Sequence, residues 1–422
     1  MNDIDVFLIP SVWPETFSYT SEEIMKMGYP LMCFDLGAPA ERAKKYEKGI
    51  IVPEVSAKSI LQTIHTNPII QEARNMSVNL KKVLFVVEDV TFSSRYRVDH
   101  LREQLILKGI SSDCYSQEKA DLLNLDAYSS IVVYRSTNVS KIKVICEKAK
   151  NKHIPVYYDI DDFIFDYESI QHLGFLKDQE YENFDQYCNN IFHTMLLCDG
   201  YLTSTNTLQR EIQKRFPAKP VVINRNVASL EMMSISIAEI YPKKSSDVVI
   251  GYFSGTKTHN DDFESIKSVL IDLMKKHQNV KLLVGGQIVL PKEFDDFKER
   301  VQRFDFVDWK KLPHLIRQAD INLMPLENTV FHACKSENKW MEAALVCVPT
   351  IASWNEELGM IIKDDEDGLL CRNLEEWQDK LEKLITNSQL RNTLSKNAHG
   401  RVLKKYTTMS VESEVVKTLS NQ

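Results

Sequence analysis

Several features are scarce or missing in this sequence, and each absence excludes a class of protein. The 422 residues contain only 13 glycines and 14 prolines, with no Pro-rich linker, low-complexity tract or tail of like charges. No segment approaches the roughly 18 consecutive apolar residues that span a bilayer, so we expect any membrane association to be peripheral. The first residues, "MNDIDVFLIPS", lack the basic and long apolar regions of a signal peptide. This composition is typical of a soluble globular protein with two or three domains.

Cysteine spacing and net charge narrow the class further. The eight cysteines form no CxxC or CxxH pair and no tight cluster, which argues against a zinc site and a disulfide framework. Most lie inside apolar runs, so we expect buried, reduced thiols in a cytosolic protein. A net charge of −7 argues against a general nucleic-acid-binding protein but leaves room for a local basic site for phosphates.

The dominant pattern is a short apolar run followed by an amphipathic stretch. It begins at "KKVLFVVED" and "RVDHLREQLILKG", restarts at "DVVIGYFSGT", and continues through "VKLLVGG", "INLMPL", "VPTIAS" and "DGLLCR". Such alternation predicts parallel sheets covered by helices. We therefore predict two similar α/β lobes at residues 81–235 and 247–410, separated by a less patterned linker at about 227–246.

The two ends of the chain differ from these lobes. Residues 1–67 alternate three strands and three helices and form a shorter α/β unit, which residues 68–80 are expected to link to the first lobe. Residues 411–422 form a tail after helical stretches, and we expect a C-terminal helix to return to the first lobe.

The stretch "IGYFSGTKTHNDDF" is the first candidate for binding chemistry. A strand ends at Ser254 and Gly255, and Thr256 and Lys257 follow before a helix. Small residues let backbone amides approach an anion, and the lysine adds a charge. The spacing fits neither a Walker loop nor GxGxxG. The alternative is an ordinary turn in which Thr or Asn caps the helix.

A second candidate is "ENTVFHACKSENKWMEAALVCVPTIAS". If the helix begins at Cys334–Ser336, then Lys335, Asn338 and Glu342 share one face, with about 10 Å between the first and the last. That separation suits a diphosphate attached to a ribose. The alternative is that Ser336 is the N-cap, Lys335 is solvated and Glu342 pairs with a neighbouring cation.

Two further stretches carry charged residues near predicted strand ends. In "YYDIDDFIFD", Asp159, Asp161 and Asp162 follow a strand, where open α/β sheets bind ligands. An Asp-x-Asp pair could bind a divalent cation, but the two-lobed organisation favours an acidic loop that faces a cleft. In "FSSRYRVDHL", Arg95 and Arg97 suit carboxylate or phosphate recognition, although a solvated pair is the alternative.

Taken together, these stretches resemble GT-B glycosyltransferases, close to glycosyltransferase family 4. The resemblance covers about residues 81–410. It implies two Rossmann-like lobes that face a cleft, preceded here by a partial N-terminal α/β unit. The first lobe, through "VLFVVEDVTFSSRYRVDHL", "PVYYDIDDFIFD" and "GYLTSTNTLQREI", resembles the acceptor side of bacterial enzymes that build O-antigen, capsule or rhamnose-rich polysaccharides. The second resembles the nucleotide-sugar donor lobe.

Family 4 enzymes carry a Glu-x7-Glu motif at the donor site. Glu342, seven residues before Pro349, matches the second glutamate, which touches the nucleotide ribose in such enzymes. The first falls on Cys334, where this sequence departs from the motif, and the neighbouring Lys335-Ser336 resembles the variant of polysaccharide enzymes.

Residues 1–67 resemble the end of the same kind of donor lobe. Glu15 and Glu23 reproduce Glu-x7-Glu, and Glu23 again precedes a proline by seven residues. Without the first part of its lobe, we expect this unit not to hold a nucleotide, and the chain resembles the rear portion of a multi-transferase polypeptide. Alternatively, Thr20 and Glu23 fit a helix capping box.

The resemblance implies a hexosyl- or rhamnosyl-type transferase that moves a sugar from a nucleotide diphosphate to a growing bacterial surface polysaccharide. It implies retention of configuration without a metal or other cofactor. Lys257, Lys335 and Asp162 are the expected catalytic residues, and residues 254–257, 335, 336, 338 and 342 the donor contacts. Arg95, Arg97, Asp159 and Asp161 are expected to face the acceptor.

The expected partners are the donor, an oligosaccharide or lipid-linked acceptor and other glycosyltransferase domains, and the expected location is the cytoplasm at the inner face of the plasma membrane. Three alternatives remain: a non-catalytic binding subunit of a synthase, a GT-B-like sugar-nucleotide epimerase, and a metal-dependent transferase that uses the Asp-x-Asp.

Overall fold

The computed structural model describes residues 4–79, 82–88, 94–120, 122–177, 182–241, 246–255 and 259–420, with the backbone alone at 74–79. The chain divides into two compact units, one of residues 1–82 with 108–111 and one of residues 83–107 with 112–422. Among the described residues, no helix combines the length and the apolar character needed to cross a membrane.

The smaller unit is a three-stranded parallel sheet in the order β1-β2-β3 with helices packed on it. Its elements are β1 (Phe7–Ile9), α1 (Tyr19–Lys26), β2 (Leu31–Phe34), α2 (Gly37–Ala43), β3 (Gly49–Val52), α3 (Ala57–Thr66) and α4 (Pro68–Asn79). All four residues of β2 are buried, since helices cover both faces of the central strand. The predicted linker at 68–80 is thus helical over nearly its whole length.

The first lobe of the larger unit has a six-stranded sheet in the order β5-β4-β6-β7-β8-β9. Its strands are β4 (Lys82–Val87), β5 (Ser112–Ser116), β6 (Tyr128–Tyr134), β7 (Val156–Asp159), β8 (Gly200–Thr203) and β9 (Val221–Ile223). Its helices are α5 (His100–Leu107), α6 (Gln117–Ala120), α7 (Val139–Asn151), α8 (Tyr167–Ile170), α9 (Phe184–Leu197) and α10 (Asn206–Arg215). A π-helical turn, Arg95–Asp99, leads into α5.

The second lobe has a six-stranded, all-parallel sheet in the order β12-β11-β10-β13-β14-β15. Its strands are β10 (Val248–Ser254), β11 (Val280–Gly286), β12 (Val301–Phe304), β13 (Ile321–Met324), β14 (Thr350–Ser353) and β15 (Leu369–Cys371). Its helices are α12 (Asn260–Ser265), α13 (Lys267–Lys276), α14 (Leu312–Gln318), α15 (Val330–Ala333), α16 (Asn338–Leu345), α17 (Glu356–Ile361), α18 (Leu374–Thr386) and α19 (Ser388–Lys405).

Two further helices join the lobes. The predicted linker at 227–246 contains α11 (Leu230–Ala238). After α19, the chain returns to the first lobe through α20 (Glu414–Ser420), where the hydroxyls of Ser129 and Ser130 donate to the carbonyl of Leu419 at 2.9 and 2.7 Å. The expected C-terminal return is therefore present, although a separate short helix makes it.

The strand order reverses at the centre of both large sheets. In the first lobe β4 lies between β5 and β6, and in the second β10 lies between β11 and β13. Loops that leave the carboxyl ends of strands at such a reversal diverge and open a crevice, which is the usual ligand site of open α/β sheets. A ligand site is therefore expected at the carboxyl ends of β4, β6, β10 and β13.

Candidate active site

A cavity of about 940 Å³ lies at these strand ends, with walls from both lobes. The second lobe contributes Ser254 and Gly255 after β10 and the segment from Phe331 to Glu342. The first lobe contributes Glu88 after β4, Arg135 after β6, and Asp161 and Asp162 after β7. Charged side chains from two lobes therefore face one space.

The segment before α16 differs from the prediction in where the helix begins. α15 ends at Ala333, and the amide of Cys334 closes that helix by donating to the carbonyl of Val330 at 3.2 Å. α16 begins at Asn338 with Glu337 as its N-cap. The predicted helix start at Cys334–Ser336 is therefore wrong, and Ser336 is not the cap. Lys335 lies in the turn between the two helices rather than in the first turn of α16.

Lys335 spans the cavity. Its Nζ lies 2.7 Å from Asp162 Oδ1 of the first lobe and 4.3 Å above the ring centre of Phe331. Lys335 and Arg135 together lower the pKa of the Asp162 carboxyl well below its usual range, although burial opposes them. Asp162 is therefore ionised at any working pH, and its carboxylate pairs with the lysine that was predicted to bind an anion.

Lys339 lies one helical turn after Lys335 and has no comparable partner. Its Nζ faces the ring of Tyr252 at 4.3 Å, and among the described residues it has no hydrogen-bond partner. Burial lowers the pKa of Lys339 to about 8. A buried ammonium without a counter-ion in contact is costly, so an anion that contacts Lys339 would stabilise its charged form.

Glu342 lies one turn further along α16 and meets the first lobe. The hydroxyl of Tyr96 donates to Glu342 Oε1 at 2.6 Å, and Arg95 Nη2 lies 3.5 Å from the same oxygen. Burial raises the pKa of the Tyr96 hydroxyl well above its ordinary value, so it stays a donor. The guanidinium of Arg95 also covers the ring of Trp309 at 4.6 Å. Arg95, predicted to face the acceptor, thus contacts the second lobe beside Glu342.

The turn after β10 is only partly described. Ser254 and Gly255 line the cavity, as the prediction requires, whereas Thr256 and Lys257 lie outside the described residues. The helix that follows begins at Asn260, with His259 rather than a Thr or Asn as its N-cap.

Asp262, a buried carboxylate in α12, binds His259 and the loop that follows β13. Asp262 Oδ2 accepts from His259 Nδ1 at 2.7 Å, and Oδ1 accepts from the amide of Glu327 at 2.8 Å. Burial lowers the pKa of His259 to about 4, so its imidazole is neutral at pH 7 and adds no positive charge. Asp262, Glu327 and His332 place one ligand atom each within 4.8 Å of one another and are the described residues that could hold a metal ion. Hydrogen bonds within the chain already engage both oxygens of Asp262.

The three aspartates at the end of β7 and just after it lie in two different environments. Asp161 and Asp162 line the cavity and both contact Nη2 of Arg135, with 2.7 Å to Asp161 Oδ1. Asp159 and Arg97 are instead fully buried and joined by two hydrogen bonds of 2.8 and 3.0 Å. The acceptor-side prediction for Arg97 and Asp159 is therefore wrong, because each neutralises the other inside the lobe. Asp159 is also no longer free for an Asp-x-Asp cation site.

Sequence reasoning missed several residues of this cavity, among them Lys339, Tyr96 and Arg135. Lys339 follows Lys335 by four residues and precedes Glu342 by three, a spacing that itself indicates one helix face. Tyr96, between the two predicted arginines, binds Glu342. Arg135, with φ +46, follows β6 in a left-handed conformation that is uncommon outside glycine. No motif marked that position.

Two Rossmann-like lobes that face a shared cavity at their strand ends define a GT-B fold, which confirms the expected fold class. Residues 247–387, which lie in the second lobe, match the family model described as glycosyl transferases group 1. The chain therefore carries a glycosyltransferase domain on a GT-B fold. It has no match among curated protein sequences.

Solved structures with the same fold are distant in sequence. Anabaena Alr3699/HepE in complex with UDP and glucose shares 14% identity with a TM-score of 0.54, over 81% of this chain and 100% of that one. WaaG, a glycosyltransferase involved in lipopolysaccharide biosynthesis, shares 14% with a TM-score of 0.52 over the same shares. A glycosyltransferase from Rickettsia africae ESF-5 shares 12% with a TM-score of 0.56, over 80% and 98%. At these identities the likeness shows the fold.

Proposed function

We propose that the protein transfers a sugar from a nucleotide-diphosphate donor, and that the diphosphate lies against Lys335 and Lys339. The observation that carries this proposal is the buried ammonium of Lys339 in the cavity wall, which has no hydrogen-bond partner among the described residues. A diphosphate supplies the missing negative charge. The donor would also draw Lys335 away from Asp162, since a diphosphate carries more charge than one carboxylate.

Glu342 would bind the ribose of the same donor. It lies on α16 after both lysines, and its carboxylate already accepts a hydrogen bond from a hydroxyl, that of Tyr96. Ribose hydroxyls would make the same kind of contact. Arg95 and Trp309 then border the nucleoside end of the site from both lobes.

In the transfer, a bond forms between an acceptor hydroxyl oxygen and the anomeric carbon of the donor sugar. The bond from that carbon to the diphosphate oxygen breaks, and its electron pair leaves with the diphosphate, which can take up the hydroxyl proton. Lys335 and Lys339 stabilise the negative charge that grows on this leaving group. By resemblance, we propose that configuration is retained without a metal ion and that the acceptor is a bacterial surface polysaccharide at the inner face of the membrane.

A thermal-shift screen with UDP, GDP, dTDP and their sugar conjugates tests the donor class, because a ligand that binds only the folded state raises its stability. We expect one nucleotide to stabilise the wild type and not Lys335→Ala or Glu342→Ala. Equal stabilisation of all three proteins would contradict the proposal. Mass spectrometry of products with and without an oligosaccharide acceptor then separates transfer from epimerisation or mere binding.

A further inference from the structure

The cavity wall that the first lobe supplies has a composition of its own. We call the first-lobe wall the set formed by Glu88, Arg135, Asp161, Asp162, Phe184 and Tyr187, all of which line the cavity. It combines carboxylates, one guanidinium and aromatic rings. The proposed donor contacts account for none of these groups except Asp162.

Arg135 organises the polar half of this wall. Its Nη2 contacts both Asp161 and Asp162, while its buried Nε has no hydrogen-bond partner among the described residues. Glu88 is fixed beside it, since the amide and hydroxyl of Thr137 donate to its carboxylate at 2.7 and 2.8 Å. Fixed carboxylate oxygens beside this guanidinium can accept hydrogen bonds from the hydroxyls of a polyol.

The charge of the wall excludes one class of acceptor. Glu88, Asp161 and Asp162 give the first-lobe wall three carboxylates against one guanidinium, that of Arg135, which contacts Asp161 and Asp162. Lys335 compensates Asp162 only until a donor engages it. Once a diphosphate engages Lys335, the wall is left with excess negative charge. An anionic group brought to this surface would meet like charges in a partly buried site, where screening is weak.

Aromatic rings form the other half of the wall and continue toward the donor side. Tyr187 and Phe184 are stacked, with ring centres 5.5 Å apart and planes at 25°. Phe175 lies 6.2 Å from Phe184 and 5.6 Å from Phe331, whose ring carries the ammonium of Lys335. This surface thus runs from the first lobe to the proposed leaving group, and apolar ring faces are suited to the C–H face of a sugar.

We propose that the first-lobe wall is the acceptor subsite and that it takes a neutral glycosyl unit while excluding anionic sugars. The sugar packs its C–H face on Tyr187 and Phe184 and donates hydroxyl hydrogen bonds to Glu88 and Asp161. This inference rests on the proposed function, because it needs the diphosphate to occupy Lys335.

Saturation-transfer NMR on the whole protein with UDP, GDP or dTDP bound tests the subsite. The neutral probes are p-nitrophenyl glucosides, galactosides and rhamnosides. p-Nitrophenyl glucuronide and galacturonide are the anionic counterparts of the glucosides and galactosides, and both serve as the anionic comparison for the rhamnosides. We expect at least one neutral glycoside to bind and its uronate to bind at least about tenfold more weakly, a ratio within the range of partly buried charge repulsion. Glu88→Gln with Asp161→Asn should shrink that ratio, and Phe184→Leu should weaken the neutral glycoside.

Matched controls lie on the same lobe away from the cavity. Glu147→Gln on α7 and Phe192→Leu on α9 should leave both affinities unchanged. The inference is overturned if uronates bind as well as neutral glycosides, if none of the neutral glycosides binds, or if Glu88→Gln with Asp161→Asn leaves the ratio unchanged. A protein that binds no nucleotide on the same samples refutes the proposed function instead, so the two failures are distinguishable.

Discussion

Two regions of this chain each contain three strands, and at least one helix follows each strand. Residues 7–66 include β1, β2 and β3, and residues 321–386 include β13, β14 and β15, in both cases as adjacent parallel strands in chain order. In each, the first full helix carries a glutamate seven residues before a proline, Glu23 in α1 and Glu342 in α16. The two regions differ in the charges around that glutamate.

Positions three and seven residues before Glu342 are Lys339 and Lys335, whereas the same positions before Glu23 are Thr20 and Thr16. Glu23 is exposed, while Glu342 is half-buried and binds Tyr96. The Glu-to-Pro spacing therefore belongs to a helix–strand unit that both regions contain. The lysines, present in only one region, carry the proposed anion chemistry.

The missing first glutamate of the motif fits the same comparison. Cys334 stands at that position, is fully buried, and its carbonyl accepts from the hydroxyl of Thr205 at 3.2 Å. A side chain there packs in the first lobe's core rather than facing the cavity. Under the proposed function, the donor lobe therefore relies on cations at positions 335 and 339. The smaller unit has Glu15 at the corresponding position but threonines in place of the two lysines.

We expect the largest loss of affinity for the nucleoside diphosphate when the charge of Lys339, which only the second region has, is removed. Lys339→Met keeps a long apolar side chain and removes the ammonium, so the affinity for the nucleoside diphosphate should fall roughly hundredfold, the upper range for a charge-assisted hydrogen bond. Isothermal titration measures it. Lys275→Met, an exposed lysine on α13, is the matched control, and equal losses in both variants would refute the role of Lys339.

A glycine at the start of β3, Gly49, and a glycine directly before β15, Gly368, allow a second test. A Cβ on Gly49 would lie 1.8 Å from the carbonyl oxygen of Ala43, whereas one on Gly368 would meet a methyl of Ile362 at 2.7 Å. Gly49→Ala should therefore destabilise the smaller unit by about 1–3 kcal/mol, the usual cost of overpacking, and more than Gly368→Ala destabilises the second lobe. Hydrogen exchange followed separately in the two regions checks the order, and the reverse order would show that the regions pack differently.

The two glutamates form a direct pair for mutation. Glu342→Gln removes the charged acceptor proposed for the ribose, and the donor affinity should fall about tenfold, which corresponds to one charged hydrogen bond. Glu23→Gln alters the same residue type at the same spacing but should leave the affinity unchanged. A comparable loss in Glu23→Gln would mean that the smaller unit takes part in donor binding.

The smallest effect is a dependence on pH. The pKa of Lys339 is about 8 without ligand, and an adjacent diphosphate raises it because it stabilises the ammonium. The affinity for the nucleoside diphosphate is therefore highest below the pKa of Lys339 in the free protein and falls as the pH rises above it. The expected decrease between pH 7 and 8.5 is about fourfold. Titrations across this range should show the decline in the wild type and not in Lys339→Met. A decline of equal size in the variant would assign the titration to another group.

Much of the fold could be predicted because its strands are short apolar runs. β6 and β10 coincide with "YSSIVVYRS" and "DVVIGYFSGT", since strands buried by helices on both faces carry apolar residues without alternation. The break before α16 could not be predicted, because the helical spacing of Lys335 and Glu342 continues through Glu337, whereas α16 begins only at Asn338.

The site was predicted less completely for a physical reason. The pairing of Arg97 with Asp159, 62 residues apart, removes both from the cavity and depends on how β7 and the turn before α5 pack. The importance of Lys339 rests on its ammonium having no hydrogen-bond partner in the described part of the chain. That is a property of its surroundings, which the neighbouring sequence does not reveal. Sequence spacing placed Lys335, Asp162 and Glu342 at one cavity but not the contacts that join them.

The stoichiometry of nucleoside diphosphate binding tests the central claim most directly. The account predicts one molecule of UDP, GDP or dTDP bound per chain by isothermal titration. It also predicts no detectable binding in Lys335→Met with Lys339→Met, although both glutamates of the smaller unit remain. Two bound molecules per chain, or binding that survives the loss of both lysines, would contradict it.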